Sequence, residues 1–203
     1  MVDAAQKMRA DTAKSLRDAA HQLLADTGLF QMLQERFGDP WVTGSAGYDL
    51  MTWRDIDMHM AVEADRAIEW MGFGQEMAQQ LSDVGITLQK ATYLNDYVEP
   101  HPLGAGLYWG LEFRDFDGAK WNVDIWGWDP FDYAVRQARD FTLRTDLQAC
   151  DRDLILRLKT EARLRPNYYG NLVTSFDIYQ FCIQQAGDSL GALEKWKREQ
   201  SAS

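Results

Sequence analysis

Cysteine is nearly absent from this 203-residue chain. Cys150 and Cys182 are the only two, and they lie far apart. Two separated thiols make neither a disulfide framework nor a zinc-ligand set. There is no run of 18 or more apolar residues, the length a membrane-spanning helix needs. The first residues, MVDAAQKMRADTAKSLRDAA, are polar and carry no apolar signal core. Together these absences lead us to expect a reducing cytoplasm and no membrane partner. Basic residues are also in deficit: 21 Lys plus Arg against 31 Asp plus Glu, a formal net charge of −10. Long nucleic acids are bound by clustered Lys and Arg, so a polynucleotide partner is not expected, nor is an anionic membrane surface. A mononucleotide is still compatible, because metal ions and a few local cations can meet its charge. With 46% hydrophobic and 26% charged residues, the composition is that of a globular protein and excludes a collagenous or wholly disordered chain.

The hydrophobic pattern predicts helix over residues 3–38, with Leu16, Ala20, Leu23 and Leu24 on one face. Asp26-Thr27-Gly28 should interrupt this helix, and Gly38-Asp39-Pro40 should end it. Trp41-Val42-Thr43 reads as a short strand running into Gly44-Ser45, and residues 46–53 as one or two helical turns. Residues 55–62 alternate like a strand. Residues 65–84 return to helix, with Ala67, Met71, Gly74, Ala78 and Leu81 as the stripe and Gly85 as the stop. A strand over 86–94, a loop at Glu99-Pro100-His101-Pro102, and strands over 107–114 and 120–128 follow. The last two are joined at Asp115-Phe116-Asp117-Gly118, where Asp-Gly signals a hairpin turn. From Phe131 onward the chain reads as helix, broken at Arg165-Pro166-Asn167 and near Gly187. The expected fold class is α+β: a small mixed sheet of about five strands with helices before and within it, then a helical C-terminal region. The expected division is 1–130 and 131–203.

The segment with chemical content runs from Val42 to Met60. On a strand, residues i and i+2 share a face, so Asp55 and Asp57 project together with roots roughly 6–7 Å apart. That spacing suits two carboxylates sharing metal ions about 3.5–4 Å apart. Without a cation the pair is unfavourable, because like charges repel and aspartate is a poor strand former. Gly44 has no Cβ and lets backbone N–H groups approach a ligand. If a helix begins after it, those N–H groups and the Ser45 hydroxyl would face an anion. Asp124 lies mid-strand, with Val123 and Ile125 on the opposite face.

Gly44-Ser45, a gap of nine residues, Asp55-Ile56-Asp57 and the later strand aspartate Asp124 resemble the nucleotidyltransferase superfamily typified by DNA polymerase β. The resemblance covers roughly residues 41–128. Thr43 stands where the family pattern has a large hydrophobe. What it implies is a small mixed-sheet nucleotidyltransferase core with an N-terminal helical segment and a C-terminal helical domain. The implied reaction moves a nucleoside monophosphate from a nucleoside triphosphate to a hydroxyl acceptor and releases pyrophosphate. Asp55, Asp57 and Asp124 would be the catalytic, Mg²⁺-binding residues, with two ions. Gly44 and Ser45 would hold phosphate oxygens. The acceptor would be a small molecule, a short RNA end or a protein side chain.

The remaining polar residues are less specific. His59 shares the Asp55–Asp57 face and reads more readily as structural, and His101 as a loop residue. Arg54, Lys90, Lys120, Arg152 and Lys159 are candidate triphosphate cations whose simpler reading is a solvated surface. Leu172, Phe176, Tyr179 and Ile183 form a helical packing stripe, and Ser175 and Tyr179 could line an acceptor cleft. Trp109, Trp121, Trp126 and Trp128 read as core and sheet-face residues. Two rival functions share the pattern. One is a glycosyltransferase using Asp-x-Asp, which expects a long nucleotide-binding α/β unit ahead of the motif, where only 54 residues stand. The other is a non-catalytic nucleotide-binding or antitoxin-like domain of the same fold, against which all three acidic positions are retained.

Overall fold

The computed structural model describes residues 3–99 and 104–201; His101 and the rest of the loop expected after Glu99 lie outside the described residues. Two helices open the chain, α1 (Ala4–Thr27) and α2 (Leu29–Phe37), and Gly28 between them takes the left-handed conformation (φ 68°). β1 (Trp41–Thr43) leads into a single helical turn, α3 (Gly44–Gly47). β2 (Asp55–Ala61), a 3₁₀ turn at Ala64–Arg66 and α4 (Ala67–Asp83) follow. Then come β3 (Leu88–Asn95), β4 (Gly106–Arg114) and β5 (Lys120–Trp128). The chain ends in α5 (Pro130–Gln148), α6 (Arg152–Leu164), α7 (Ser175–Ile183) and α8 (Leu190–Ser201). Among the described residues no helix is long and apolar enough to cross a membrane.

The five strands form one mixed sheet in the order β1-β2-β5-β4-β3, in which only the β2–β5 pair is parallel. Strand alternation gives the sheet two unlike faces. Ile56, Met58, Met60, Val123, Ile125, Leu107, Leu111 and Phe113 are buried with α2 and α4 in the larger core cluster. Each such side chain contributes about 1.5–3 kcal/mol when taken out of water. The opposite face carries the polar residues of β2 and β5. A second cluster, built from Ile155, Leu158, Ile178, Phe181 and Leu193 of α6, α7 and α8, also takes Ala13 of α1 and Leu50. Side-chain caps start the later helices. Asp129 accepts from Phe131 N, Asp151 from Asp153 N, and Thr174 and Asp177 form a reciprocal capping box.

Several expectations are corrected. The helical turn after β1 spans Gly44–Gly47 rather than 46–53, because residues 50–54 leave it as an irregular connection. The buried face of α4 is Trp70, Phe73, Gly74, Met77 and Leu81, while Met71 is half exposed; the two aromatics reach deeper than the smaller residues of the expected stripe. In the C-terminal half a further break falls at residues 149–151, where Asp151 caps a new helix. Leu172 and Phe176 are exposed rather than packed, and α7 buries Ile178, Tyr179, Phe181 and Cys182.

Candidate active site

Pairing register gathers the acidic residues. Asp57 of β2 is the direct partner of Asp124 of β5, and on its other side it pairs with Thr43 of β1. Asp55 lies one row away, opposite Asn122. Asp55, Asp57 and Asp124 therefore share the polar face, as the spacing suggested for the first two, and the later strand places the third beside them.

The Gly44 turn closes onto this group. Gly44 has φ 58°, and a Cβ on it would fall 2.2 Å from Asp57 Oδ2. Only glycine fits both the conformation and the contact. Ser45 is buried within the same turn. The turn is anchored from below by Asp140 of α5, whose Oδ1 accepts from the hydroxyls of Thr43 and Tyr48, with Arg144 3.8 Å from its other oxygen. Asp140 was missed from the sequence, since nothing in α5 separates it from the surface acids Asp132 and Asp146. Thr43, out of place in the family pattern as an apolar position, has this hydrogen bond as its structural reason.

Burial and mutual repulsion shape the charges. Asp57 is pushed up to about 8, mainly by burial and then by the Asp55 and Asp124 charges. Asp55 and Asp124 are also raised, burial being the largest cause for each. Protein donors offset part of this: Trp53 Nε1 lies 3.3 Å from Asp55 Oδ2, the Asn122 side chain also bonds Asp55, and the Tyr108 hydroxyl donates to Asp124 Oδ1 at 2.5 Å. His59, two residues beyond Asp57, is pushed down to about 3 by burial and by Arg136, and stacks edge-on to Trp128 and Trp41. It is a neutral wall residue.

Lys159 overturns its surface reading. It is wholly buried, donates to Leu50 O (2.7 Å) and the Tyr179 hydroxyl (3.1 Å), and sits 4.9 Å from the Trp53 ring centroid. Burial lowers it to about 7 against the pull of Asp55 and Asp57. Its place on an amphipathic helix offered no signal, because burial of a lysine depends on what the other half of the chain lays over it. Lys90 and Lys120 do stand at the surface, both paired with Glu112. Arg152 is partly exposed and bridges to Asp49. Ser175 bonds the Tyr169 hydroxyl.

Two clefts open nearby: the larger is lined by Thr43 and His59, neighbours of Asp57, and the smaller by Asp124 itself. A cleft of about 770 Å³ runs between the sheet and the helical half, lined by Trp41, Thr43, Tyr48, His59, Arg136 and Phe176 among others. Phe176 is 59% exposed there. On the β4–β3 side a smaller polar cleft of about 270 Å³ is lined by Thr92, Tyr108, Asn122 and Asp124, with Lys90 and Lys120 at its rim.

The donor set fits Mg²⁺ in kind: three hard carboxylates on one face, each raised first by burial, with the Asp57 and Asp124 charges further disfavoured by their acidic neighbours. Among the described residues no three acidic, histidine or cysteine side chains already form a cage for an ion. Mg²⁺ does not require one, since it is commonly held by one or two carboxylates with waters and substrate phosphates completing the shell.

No family model matches the chain, and no curated protein matches it in sequence. Solved structures do. Cid1, described as having RNA terminal uridylyl transferase activity, matches with a TM-score of 0.51 at 13% identity, covering 86% of this chain and 50% of its own. A cytoplasmic RNA terminal U-transferase gives 0.46 at 13% identity, covering 84% and 51%. A Cid1 poly(U) polymerase mutant bound to MgATP gives 0.48 at 11% identity, covering 84% and 53%. The chain thus spans about half the length of the structures it matches. The likeness bears out the expected α+β fold: the chain, with its five-stranded mixed sheet, is similar in fold to the Cid1 structure.

Proposed function

We propose that the chain is a metal-dependent nucleotidyltransferase that moves a nucleoside monophosphate from a nucleoside triphosphate to a hydroxyl acceptor. The observation that carries this reading is the register pair Asp57–Asp124 with Asp55 beside it, pressed against the Gly44 turn. Asp55, Asp57 and Asp124 would hold the Mg²⁺ ions. Bound there, Mg²⁺ supplies charge neutralisation on the triphosphate and a more acidic acceptor hydroxyl.

The protein's own groups divide the remaining work. The backbone of the Gly44–Ser45 turn presents N–H groups to the phosphates, while the buried Ser45 shapes the turn. Lys159 stands near enough to Asp55 and Asp57 to share their field, and a bound triphosphate would favour its charged form. Phe176 and Tyr48, lining the larger cleft, provide faces for the nucleoside. Asp124 opens toward the smaller polar cleft, where an acceptor hydroxyl can reach it, and takes the hydroxyl proton. The acceptor oxygen then bonds to the α-phosphorus, the bond from that phosphorus to the bridging oxygen breaks, and pyrophosphate carries the electron pair away. Positioning and charge supply most of the rate.

The neighbours named above act on RNA ends. This chain carries a net charge of −10 and its rim lysines are already paired with Glu112, which favours a small-molecule or protein hydroxyl over a long polynucleotide. The test is thermal stabilisation by a panel of nucleotides with and without Mg²⁺. A Mg²⁺-dependent shift selective for triphosphates supports the transferase, a shift with sugar nucleotides supports the Asp-x-Asp glycosyltransferase, and no shift leaves a non-catalytic domain.

A further inference from the structure

Tyr108 stands in an unusual relation to Asp124. It is not its partner across β4–β5. That position belongs to Gly110, and Tyr108 pairs with Trp126 instead. Tyr108 reaches Asp124 by extending over Gly110: a Cβ there would lie 2.2 Å from the Tyr108 hydroxyl oxygen and 2.8 Å from Cζ. The ring is braced on the side of its own partner. Trp126 lies 4.6 Å from it, Trp126 stacks on Trp128 at 4.3 Å and 5°, and the Arg136 guanidinium of α5 sits 3.6 Å over Trp128. A glycine opposite the carboxylate and a stack fixed from α5 thus aim one hydroxyl at one carboxylate oxygen, Oδ1 of Asp124, at 2.5 Å.

We infer that Tyr108 is a positioning residue for Asp124, holding Oδ1 so that Oδ2 is the oxygen offered to an ion and to the acceptor hydroxyl. The inference rests on the nucleotidyltransferase reading for its kinetic consequence and on the site geometry alone for its effect on ion binding. A charge-assisted O–H···O bond of this length is strong and directional. Without it, the Asp124 carboxylate would rotate freely among positions of which few serve the site.

Tyr108→Phe removes the hydroxyl and keeps the stack. The expected result is a kcat about tenfold lower, the size of a lost charge-assisted bond, with the triphosphate KM within twofold of wild type and an unchanged melting temperature. Mn²⁺ alone, titrated without nucleotide and followed by water proton relaxation, should bind severalfold more weakly. Gly110→Ala, whose Cβ evicts the ring, should reproduce both effects, and the double variant should be no worse than Gly110→Ala. Unchanged kcat with unchanged or tighter Mn²⁺ binding in Tyr108→Phe overturns the inference, as do multiplicative losses in the double variant. If wild type transfers no nucleotide, weaker Mn²⁺ binding in Tyr108→Phe still supports the positioning role while the function reading falls. Equal Mn²⁺ binding in the two proteins then removes both.

Discussion

A Cβ on Gly44 would lie 2.2 Å from Asp57 Oδ2, so the turn that would cradle phosphate and a carboxylate that would hold metal are in contact. Gly44→Ala must therefore move one or the other. It also places a side chain at φ 58°, a cost of about 1 kcal/mol or more. A small fall in melting temperature is expected, with loss of nearly all Mg²⁺-dependent triphosphate stabilisation. Thermal melts with and without Mg-triphosphate read both effects, and full retention of the stabilisation would separate the turn from the carboxylates.

Lys159 gives a pH signature. Its folded value, about 7, lies below the ordinary 10.5, so the unfolded chain binds more protons between those values. Stability from this group therefore rises as pH climbs from 7 toward 10.5, and below 7 the cost of the buried ammonium is fully present. Relative to Lys159→Met, wild type should gain on the order of 2 kcal/mol between pH 7 and 9. Urea melts of both proteins at the two pH values measure this. Triphosphate affinity, which uses the charged form, should run the other way and weaken above pH 7 in wild type alone.

Phe176 offers an aromatic face without a packing duty, being 59% exposed. Phe176→Ala should leave the melting temperature nearly unchanged and raise the triphosphate KM about tenfold, the scale of one lost base–aromatic stack. An unchanged KM would take the nucleoside out of the larger cleft.

The charge balance predicts weak polynucleotide binding. Fluorescence anisotropy with a labelled duplex at physiological salt should show no saturation at low micromolar protein. Tight, sequence-independent binding would contradict the reading of a chain with net charge −10.

Much of this was legible in the sequence because it is local. Strand alternation exposed Asp55 and Asp57 together, Asp-Gly marked the β4–β5 hairpin, and Gly28 and Gly38 ended their helices. What was hidden depends on pairing across distance. That Asp124 stands in register with Asp57, rather than with Asp55, follows from how β5 slides along β2. Lys159 and Asp140 sit on helices whose own patterns do not distinguish them from solvated charges. They become buried only because Leu50, Tyr179, Thr43 and Tyr48 are brought over them by other parts of the chain. The stripe assigned to α4 held at Gly74 and Leu81 but missed Trp70, Phe73 and Met77, whose larger side chains fill the rest of the buried face, while Met71 turns outward.

The central claim is tested most directly by the fate of label. Wild type and Asp57→Asn are incubated with Mg²⁺ and either α- or γ-³²P-labelled triphosphates in a cell extract, and the labelled products are separated. Asn keeps the shape of Asp57 but cannot take on the negative charge a metal ion would call for, and because burial and two acidic neighbours already disfavour that charge in the metal-free fold, the variant should fold at least as stably as wild type. The account predicts that wild type transfers the α label to an acceptor and releases the γ label in pyrophosphate, and that Asp57→Asn does neither. Transfer of the γ label, or undiminished α-label transfer by folded Asp57→Asn, would contradict it.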